Sequence, residues 1–266
     1  MLGRGRKAAA EPIDPELLLR AYSVGVFPMA DSRDAQDIFW VEPKRRGVMP
    51  LDRFHLSHSL RKKLRSDKLV VTADRAFARV VAACADETEE RPETWINEQI
   101  EVAYGLLHKR GYAHSIEVWR AGDVGGELVG GLYGVSLGRA FFGESMFSRE
   151  RDASKIAMAH LVARLRAGGY TLLDCQFLTD HLASLGAIEI GRADYRVLLD
   201  EALTPLPLAA AGLVAGGGVV PEGSEGEASG DFFAVERAPP ESTAPAVSVS
   251  GPISGCVIAQ LLGQTS

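Results

Sequence analysis

Three predicted β-strands that follow one another closely constrain the fold of this 266-residue chain more than any other feature. Apolar and β-branched residues are frequent at 115–120, 128–137 and 139–142, and glycines occupy the turns between these segments. A helical pattern follows over 152–168, and a further apolar strand is predicted at 170–175. An antiparallel meander, followed by a helix that crosses to another strand, predicts the α+β class.

Two of these strands end in polar residues. Glu144 follows a short apolar strand and has aromatic and thioether neighbours, while Asp174 and Gln176 end the strand at 170–175. An ionised side chain in such surroundings is costly unless it is hydrogen-bonded or paired. These groups either line one site or tie down neighbouring loops, and the strand pattern is compatible with both interpretations.

Composition argues against several classes of protein. The three cysteines are widely spaced and odd in number, which disfavours a disulfide framework and favours a reducing compartment. His55 and His58 stand three apart without a third ligand nearby, so we predict neither a metal nor a cofactor. The amino terminus is charged and lacks the apolar core of a signal peptide. The longest near-apolar run, 206–220, is short and rich in glycine, so no membrane span is predicted.

The net charge of −6 is unevenly distributed. Residues from 205 onward include six acids and one base, whereas residues 44–68 include nine bases and two acids. A solvated basic face is the simplest interpretation, but this density of charge predicts a partner that carries phosphate groups. The bases expected to contact phosphates are Lys44, Arg45, Arg46, Arg61, Lys62, Lys63 and Arg65.

Composition also divides the chain into three parts. We predict a small amino-terminal lobe at 1–50, a main domain at 51–204 and a tail at 205–266 that is rich in glycine, proline, alanine and serine. Such a tail is expected to be mostly disordered, so a chain that ends after residue 204 is expected to remain folded and active. Two apolar islands in the tail, 231–233 and 257–262, are candidates for docking on the body.

A series of short motifs runs in order along residues 14–203. They are Ala21 and Tyr22, Gly25 to Pro28, Thr94 to Ile96, and the segments 113–119, 128–134, 142–148, 153–155, 173–176 and 181–187. The set resembles the leucyl/phenylalanyl-tRNA–protein transferase family. The resemblance implies a Gcn5-related acetyltransferase-like main domain and a small amino-terminal domain. It also implies transfer of leucine or phenylalanine, and methionine less well, from tRNA to the α-amine of proteins that begin with arginine or lysine. This modification marks proteins for degradation, and we expect a cytoplasmic monomer.

The resemblance also assigns roles to residues. Asp174 would orient the amide of Gln176, which contacts the incoming amine, and Glu144 would hold the aminoacyl end. Trp95 would stack on the terminal adenine of the tRNA. The best-known members have a second tryptophan at the position of Met29, and Met29 would lie against the base in its place. The matching pocket for the substrate side chain consists of residues that are unbranched at Cβ: Leu132, Phe141, Met146, Met158, Leu161 and Leu173.

Two other functions remain open at this point. One is an N-acyltransferase with an acyl-coenzyme A donor, although the segment 148–155 lacks the glycine-rich pyrophosphate loop of such enzymes. The other is a non-enzymatic adaptor that binds basic amino termini or RNA. For the transferase, Asp174 and Gln176 either act as a base or only align the reactants. We favour alignment, because an aminoacyl ester is already activated and an α-amine with a pKa near ~8 is nearly neutral.

Overall fold

A computed structural model describes residues 13–66, 68–87, 93–205, 229–237 and 252–263. The amino-terminal lobe begins with helix α1 (Pro15–Ser23), whose first turn is capped by the Asp14 side chain accepting from the backbone N–H of Glu16. Strands β1 (Phe27–Met29) and β2 (Phe39–Val41) then form a two-stranded antiparallel sheet. The buried face of α1 holds the lobe against the main domain.

The main domain is built on a seven-stranded mixed sheet. Its strands are β3 (Arg45–Val48), β4 (Leu69–Ala73), β5 (Ala113–Arg120), β6 (Leu128–Leu137), β7 (Ala140–Ser148), β8 (Leu172–Gln176) and β9 (Ile188–Gly191). They lie in the order β4-β5-β6-β7-β8-β3-β9, and every neighbouring pair is antiparallel except β7 and β8. Helix α5 (Ala153–Ala167) connects that parallel pair. The predicted α+β class and the predicted meander with its crossing helix are confirmed.

Helices cover both faces of this sheet and produce two apolar cores. The remaining helices are α2 (His58–Arg65), α3 (Phe77–Ala85), α4 (Glu98–Lys109), α6 (Asp180–Ala183), α7 (Arg192–Leu203), α8 (Ala234–Arg237) and α9 (Gly255–Leu261). Within the described residues, no helix is both long enough and apolar enough to cross a membrane.

Strand β3 differs from the prediction, which placed residues up to 50 in the amino-terminal lobe. The strand instead lies inside the main sheet, between β8 and β9. Its backbone approaches the segment after β8 so closely that a Cβ atom on Gly47 would lie 2.8 Å from the backbone nitrogen of Leu178. Arg46 is 1% exposed because it forms an ion pair with Asp174 of β8. A strand that is buried by an ion pair has no apolar pattern in the sequence. The pattern therefore gave no indication that β3 belongs to the main sheet.

Strand β7 is also longer than predicted. The sequence predicted its end at Phe142, before Gly143, but pairing with β6 continues to Ser148 after a register shift at Tyr133 and Gly134. A bulge of this kind redirects side chains relative to the regular alternation. Glu144 therefore belongs to the strand and does not follow it.

Two segments of the predicted tail pack on the body, as the apolar islands suggested. Phe232 is 3% exposed and belongs to the core around α5, and Ile258 and Leu262 are buried in the same core. The boundary predicted at residue 204 is therefore wrong for 229–237 and 252–263. Burial of this apolar surface contributes to stability, so we no longer expect a chain that ends after Thr204 to keep its full stability.

Candidate active site

A cavity of about 690 Å³ opens between the amino-terminal lobe and strands β6, β7 and β8. Most of its wall is apolar, and its main polar groups are Glu144 and Gln176 on one side and Ser154 and His181 on another. Pockets of this size and character, with few polar groups, are typical of sites for small ligands or for the ends of larger ones.

Most of the residues predicted to bind substrate line this cavity. They are Met29, Trp95, Leu132, Met146, Met158, Leu161 and Leu173. Phe141 is an exception, because it is fully buried and is not part of the cavity wall. Its ring stacks on Phe232 at a centroid distance of 5.7 Å and meets the edge of Tyr170. The prediction for Phe141 is corrected to a core residue under the docked carboxy-terminal segment.

Glu144 is held by two tyrosines from separate helices. Tyr22 of α1 donates to Oε1 at 2.6 Å, and Tyr104 of α4 donates to Oε2 at 2.8 Å. The Gln176 amide donates to Oε1 at 3.3 Å. Burial raises the pKa of Glu144 to about 7, although the hydrogen bonds from the two tyrosines act in the opposite direction. Glu144 is therefore poised to gain or lose a proton near neutral pH.

Asp174 lies next to this group but is fully buried and fully engaged. Arg46 donates to it through Nε at 2.9 Å and through Nη2 at 2.6 Å, which is the two-pronged geometry typical of arginine and carboxylate. Tyr195 of α7 donates to the carboxylate at 2.8 Å, and so does the backbone N–H of Gln176, also at 2.8 Å. Asp174 thus holds β3, β8 and α7 together.

This arrangement differs in one respect from the predicted relation between Asp174 and Gln176. Asp174 accepts from the main-chain N–H of Gln176, while the side-chain amide of Gln176 donates to Glu144. Gln176 has a φ of 55°, in the left-handed region, so regular strand alternation ends at this residue. A regular strand would place the side chains of Asp174 and Gln176 on one face, but the backbone turns at Gln176.

The prediction that Arg46 contacts phosphates is also corrected. Its guanidinium lies between two rings, 4.7 Å from the centroid of Phe27 and 4.5 Å from that of Tyr195. It also donates to the carbonyl of Gly25 at 3.0 Å. With all these contacts and 1% exposure, Arg46 has no face left for a nucleic acid.

The other predicted basic residues lie at or near the surface. Lys44, Arg45, Lys62 and Arg65 are exposed, and Arg61 and Lys63 are half-buried. Lys63 of α2 donates to the carbonyl of Arg151, in the turn before α5. Ser148 and Ser154 flank that turn and line the cavity. The basic helix α2 is therefore connected to the cavity rim through a single turn of chain.

The sequence pattern did not predict Tyr22 and Tyr104 as site residues. Tyr104 lies on the apolar face of α4 and has the spacing of a core residue, and Tyr22 has the same character on α1. The one available signal was the short motif Ala21 and Tyr22, which carried the family resemblance without a role for the phenol. The described residues contain no group of three or more His, Cys, Asp or Glu that could hold a metal ion.

Comparison with known proteins decides the family. A family model described as leucyl/phenylalanyl-tRNA protein transferase matches residues 48–200, and a model for the amino-terminal domain of that family matches residues 11–44. The chain belongs to this family. The two matches leave residues 45–47 of β3 between them.

Individual transferases of this family support the same conclusion. The leucyl/phenylalanyl-tRNA–protein transferase of Rhizorhabdus wittichii is 64% identical over 255 residues, which is 96% of this chain and 99% of that protein. The transferase of Zymomonas mobilis is 60% identical, over 72% of this chain and 70% of that protein. The transferase of Rhodopseudomonas palustris is 57% identical, over 76% of this chain and 88% of that protein.

Proposed function

We propose that this chain moves leucine or phenylalanine, and methionine less well, from aminoacyl-tRNA to the α-amine of proteins that begin with arginine or lysine, which marks those proteins for degradation. The observation that carries the proposal is an apolar cavity with a polar end at Glu144 and Gln176, in a chain that belongs to the transferase family. The cavity-lining Leu132, Met158 and Leu161 offer no hydrogen bond to a substrate side chain, which favours an apolar amino acid.

In this proposal the protein mainly positions two reactants. Transfer from a tRNA ester to an amine is downhill, so correct placement of both partners provides much of the rate. Trp95 and Met29, which are half-buried in the cavity wall, take the terminal adenine by stacking and apolar contact. Exposed basic side chains of α2, such as Lys62 and Arg65, bind the tRNA phosphates that follow the terminal adenosine. Asp174 fixes the backbone that presents Gln176.

The test combines purified protein, leucyl-tRNA and a peptide that begins with arginine. The expected product is a peptide heavier by one leucine residue, identified by mass spectrometry. The matched control is the same peptide with an acetylated amino terminus, which has no free α-amine and is expected to remain unchanged. Absence of the added residue on the free peptide would refute the proposed function.

Two alternatives are distinguished by the same assay. An enzyme that uses acyl-coenzyme A would modify the peptide with acetyl-coenzyme A as donor. We expect no transfer from this donor, because residues 148–155, which lead into the first turn of α5, contain no glycine for a pyrophosphate loop. An adaptor would bind the peptide or the RNA without any change in mass. The buried network of Arg46, Asp174 and Tyr195 next to the cavity supports an enzyme.

Three finer features belong to this proposal. The main domain has the Gcn5-related acetyltransferase architecture, which is supported by the antiparallel strands β4 to β7, the crossing helix α5 and the parallel pair of β7 and β8. The protein acts in the cytoplasm, in keeping with its aminoacyl-tRNA substrate. It acts as a monomer, which light scattering of the purified protein tests.

A further inference from the structure

Three oxygen-bearing side chains from three different elements form a closed triangle at the polar end of the cavity. Tyr22 of α1 and Tyr104 of α4 have their phenol oxygens 2.5 Å apart, with either group as the possible donor. Each phenol also contacts one carboxyl oxygen of Glu144 on β7, at 2.6 Å and 2.8 Å. All three sides of the triangle are therefore at hydrogen-bond distance.

The number of hydrogens available in this triangle determines the protonation state of Glu144. Three hydrogen bonds between oxygens need three hydrogens, and the two phenols supply only two. Burial raises the pKa of both Tyr22 and Tyr104 well above the usual value, so neither phenol loses its hydrogen near neutral pH. When both phenols donate to the Glu144 carboxylate, no hydrogen is left for the side between Tyr22 and Tyr104. That side is made only when Glu144 is a neutral carboxylic acid and itself donates to one of the two phenols.

Other groups close to the cavity are poorer proton acceptors. Each oxygen of Asp174 already accepts from two donors, so none of its lone pairs is free for a substrate proton. Burial raises the pKa of the Cys175 thiol far above neutrality, so the thiol stays protonated. Burial and the nearby charge of Lys155 lower the pKa of His181, which weakens it as a base. Glu144 is the remaining candidate among the carboxyl, thiol and imidazole groups of the described cavity wall.

We propose that Glu144 is the proton acceptor of the aminoacyl transfer and that Tyr22 and Tyr104 are positioning residues for it. The proposal rests on the proposed function and deepens it. The α-amine nitrogen attacks the ester carbonyl carbon and forms the new C–N bond. The ionised Glu144 takes one hydrogen from that nitrogen. As the bond from the carbonyl carbon to the ribose oxygen breaks, Glu144 returns this hydrogen to the leaving oxygen, so amide and free hydroxyl form without net change in protons.

The groups that face Glu144 determine at which pH this step becomes available. Burial disfavours its carboxylate, and so does the charge of Asp174 on β8, whereas Tyr22, Tyr104 and the charge of Arg46 on β3 favour it. Gln176 adds an amide donor, and Tyr133 of β6 packs edge-on against Tyr104. With a pKa of about 7, the carboxylate form becomes the major one above neutral pH, so the rate is expected to rise through that range.

Single-turnover rates against pH test the proposal with two tyrosine variants. Tyr22→Phe and Tyr104→Phe each remove a donor that favours the carboxylate, so the rise in rate is expected to move to higher pH by about one unit. At high pH both variants are expected to approach the wild-type rate. Tyr170→Phe is the matched control, because the phenol of Tyr170 is also buried but hydrogen-bonds Ser136 and Gly230, away from the cavity. Its pH profile is expected to coincide with that of the wild type.

Glu144→Gln and His181→Gln complete the design. Glu144→Gln keeps the shape but cannot accept the proton, so a loss of roughly 10²–10⁴-fold in single-turnover rate is expected at saturating aminoacyl-tRNA. His181→Gln is expected to keep the wild-type pH midpoint. A wild-type midpoint in both tyrosine variants, or a profile that His181→Gln abolishes, would overturn the assignment to Glu144.

An infrared measurement checks the hydrogen count without relying on activity. The difference spectrum between wild type and Glu144→Gln is expected to show a protonated carboxyl band at about pH 6 that disappears as pH rises through the pKa of about 7. A missing band would refute this inference even if the transferase assay succeeds. A band together with no transfer would instead refute the proposed function.

Discussion

Replacing Phe232 with alanine tests whether the carboxy-terminal segment is part of the folded body. The ring of Phe232 is 3% exposed and stacks on His114 at 4.2 Å with an interplanar angle of 12°. It also contacts Phe141, and the guanidinium of Arg164 lies 5.5 Å from its centroid. Truncation of a phenylalanine in such a position typically costs about 3–5 kcal/mol in free energy of unfolding.

That cost corresponds to a large fall in melting temperature. A loss of 1 kcal/mol lowers the Tm of a domain of this size by about 2–4 °C, so Phe232→Ala is expected to lower it by roughly 6–20 °C. Thermal unfolding followed by circular dichroism measures the shift. Phe233→Ala is the matched control, because Phe233 is adjacent in sequence but only half-buried, and its loss is expected to be clearly smaller.

Equal melting temperatures for the wild type and Phe232→Ala would refute the packing argument. The segment would then be undocked in solution, and the disordered tail predicted from composition would be the better description. A chain that ends after Thr204 extends the test, because it also removes Glu236, the ion-pair partner of the buried Arg164. An unpaired buried charge is costly, so this truncation is expected to destabilise the protein further than Phe232→Ala.

Three more predictions concern the site and its surroundings. Arg46→Met leaves Asp174 buried without its ion-pair partner and is expected to lower the free energy of unfolding by about 3–5 kcal/mol. Arg45→Met removes an exposed ion pair and is expected to lower it by less than about 1 kcal/mol. Denaturant titration of both variants measures the difference. Asp174→Asn is expected to reduce the transfer rate because Asp174 fixes the backbone of Gln176. It is also expected to move the rise in rate to lower pH, because the charge of Asp174 disfavours the Glu144 carboxylate. A deficit that disappears at high pH would contradict the alignment role of Asp174. Charge reversal of Lys62 and Arg65 is expected to raise the KM for aminoacyl-tRNA and to flatten its salt dependence, with little change in kcat; wild-type salt dependence would place the phosphates elsewhere.

The sequence predicted the elements whose periodicity reflects burial of apolar side chains. The meander of β5 to β7, the crossing helix α5 and strand β8 all have this property. Each was found at or near its predicted position, although β7 continues beyond its predicted end to Ser148. Most of the apolar cavity wall was identified as well, because residues such as Met158 and Leu161 carry both the helical spacing and the family resemblance.

The remainder depended on contacts between distant segments, which a single sequence does not encode locally. Strand β3 reads Arg-Arg-Gly-Val, and its burial depends on Asp174 far along the chain. Tyr104 has the spacing of a core residue, and only the fold brings its phenol to Glu144. The bulge opposite Gly134 and the left-handed backbone at Gln176 likewise arise from packing.

The central position of β3 has a consequence for how the protein reaches its native state. Arg46 and Asp174 are separated by 128 residues, and β3 forms pairs with both β8 and β9. Contacts at such long separation slow folding, because the entropy of closing a large loop is lost before the contact forms. During synthesis, β3 leaves the ribosome long before either partner strand exists. We therefore expect the meander to form first. The end of the sheet that carries Gln176 and Glu144 is expected to close only when the chain through Gly191 is available.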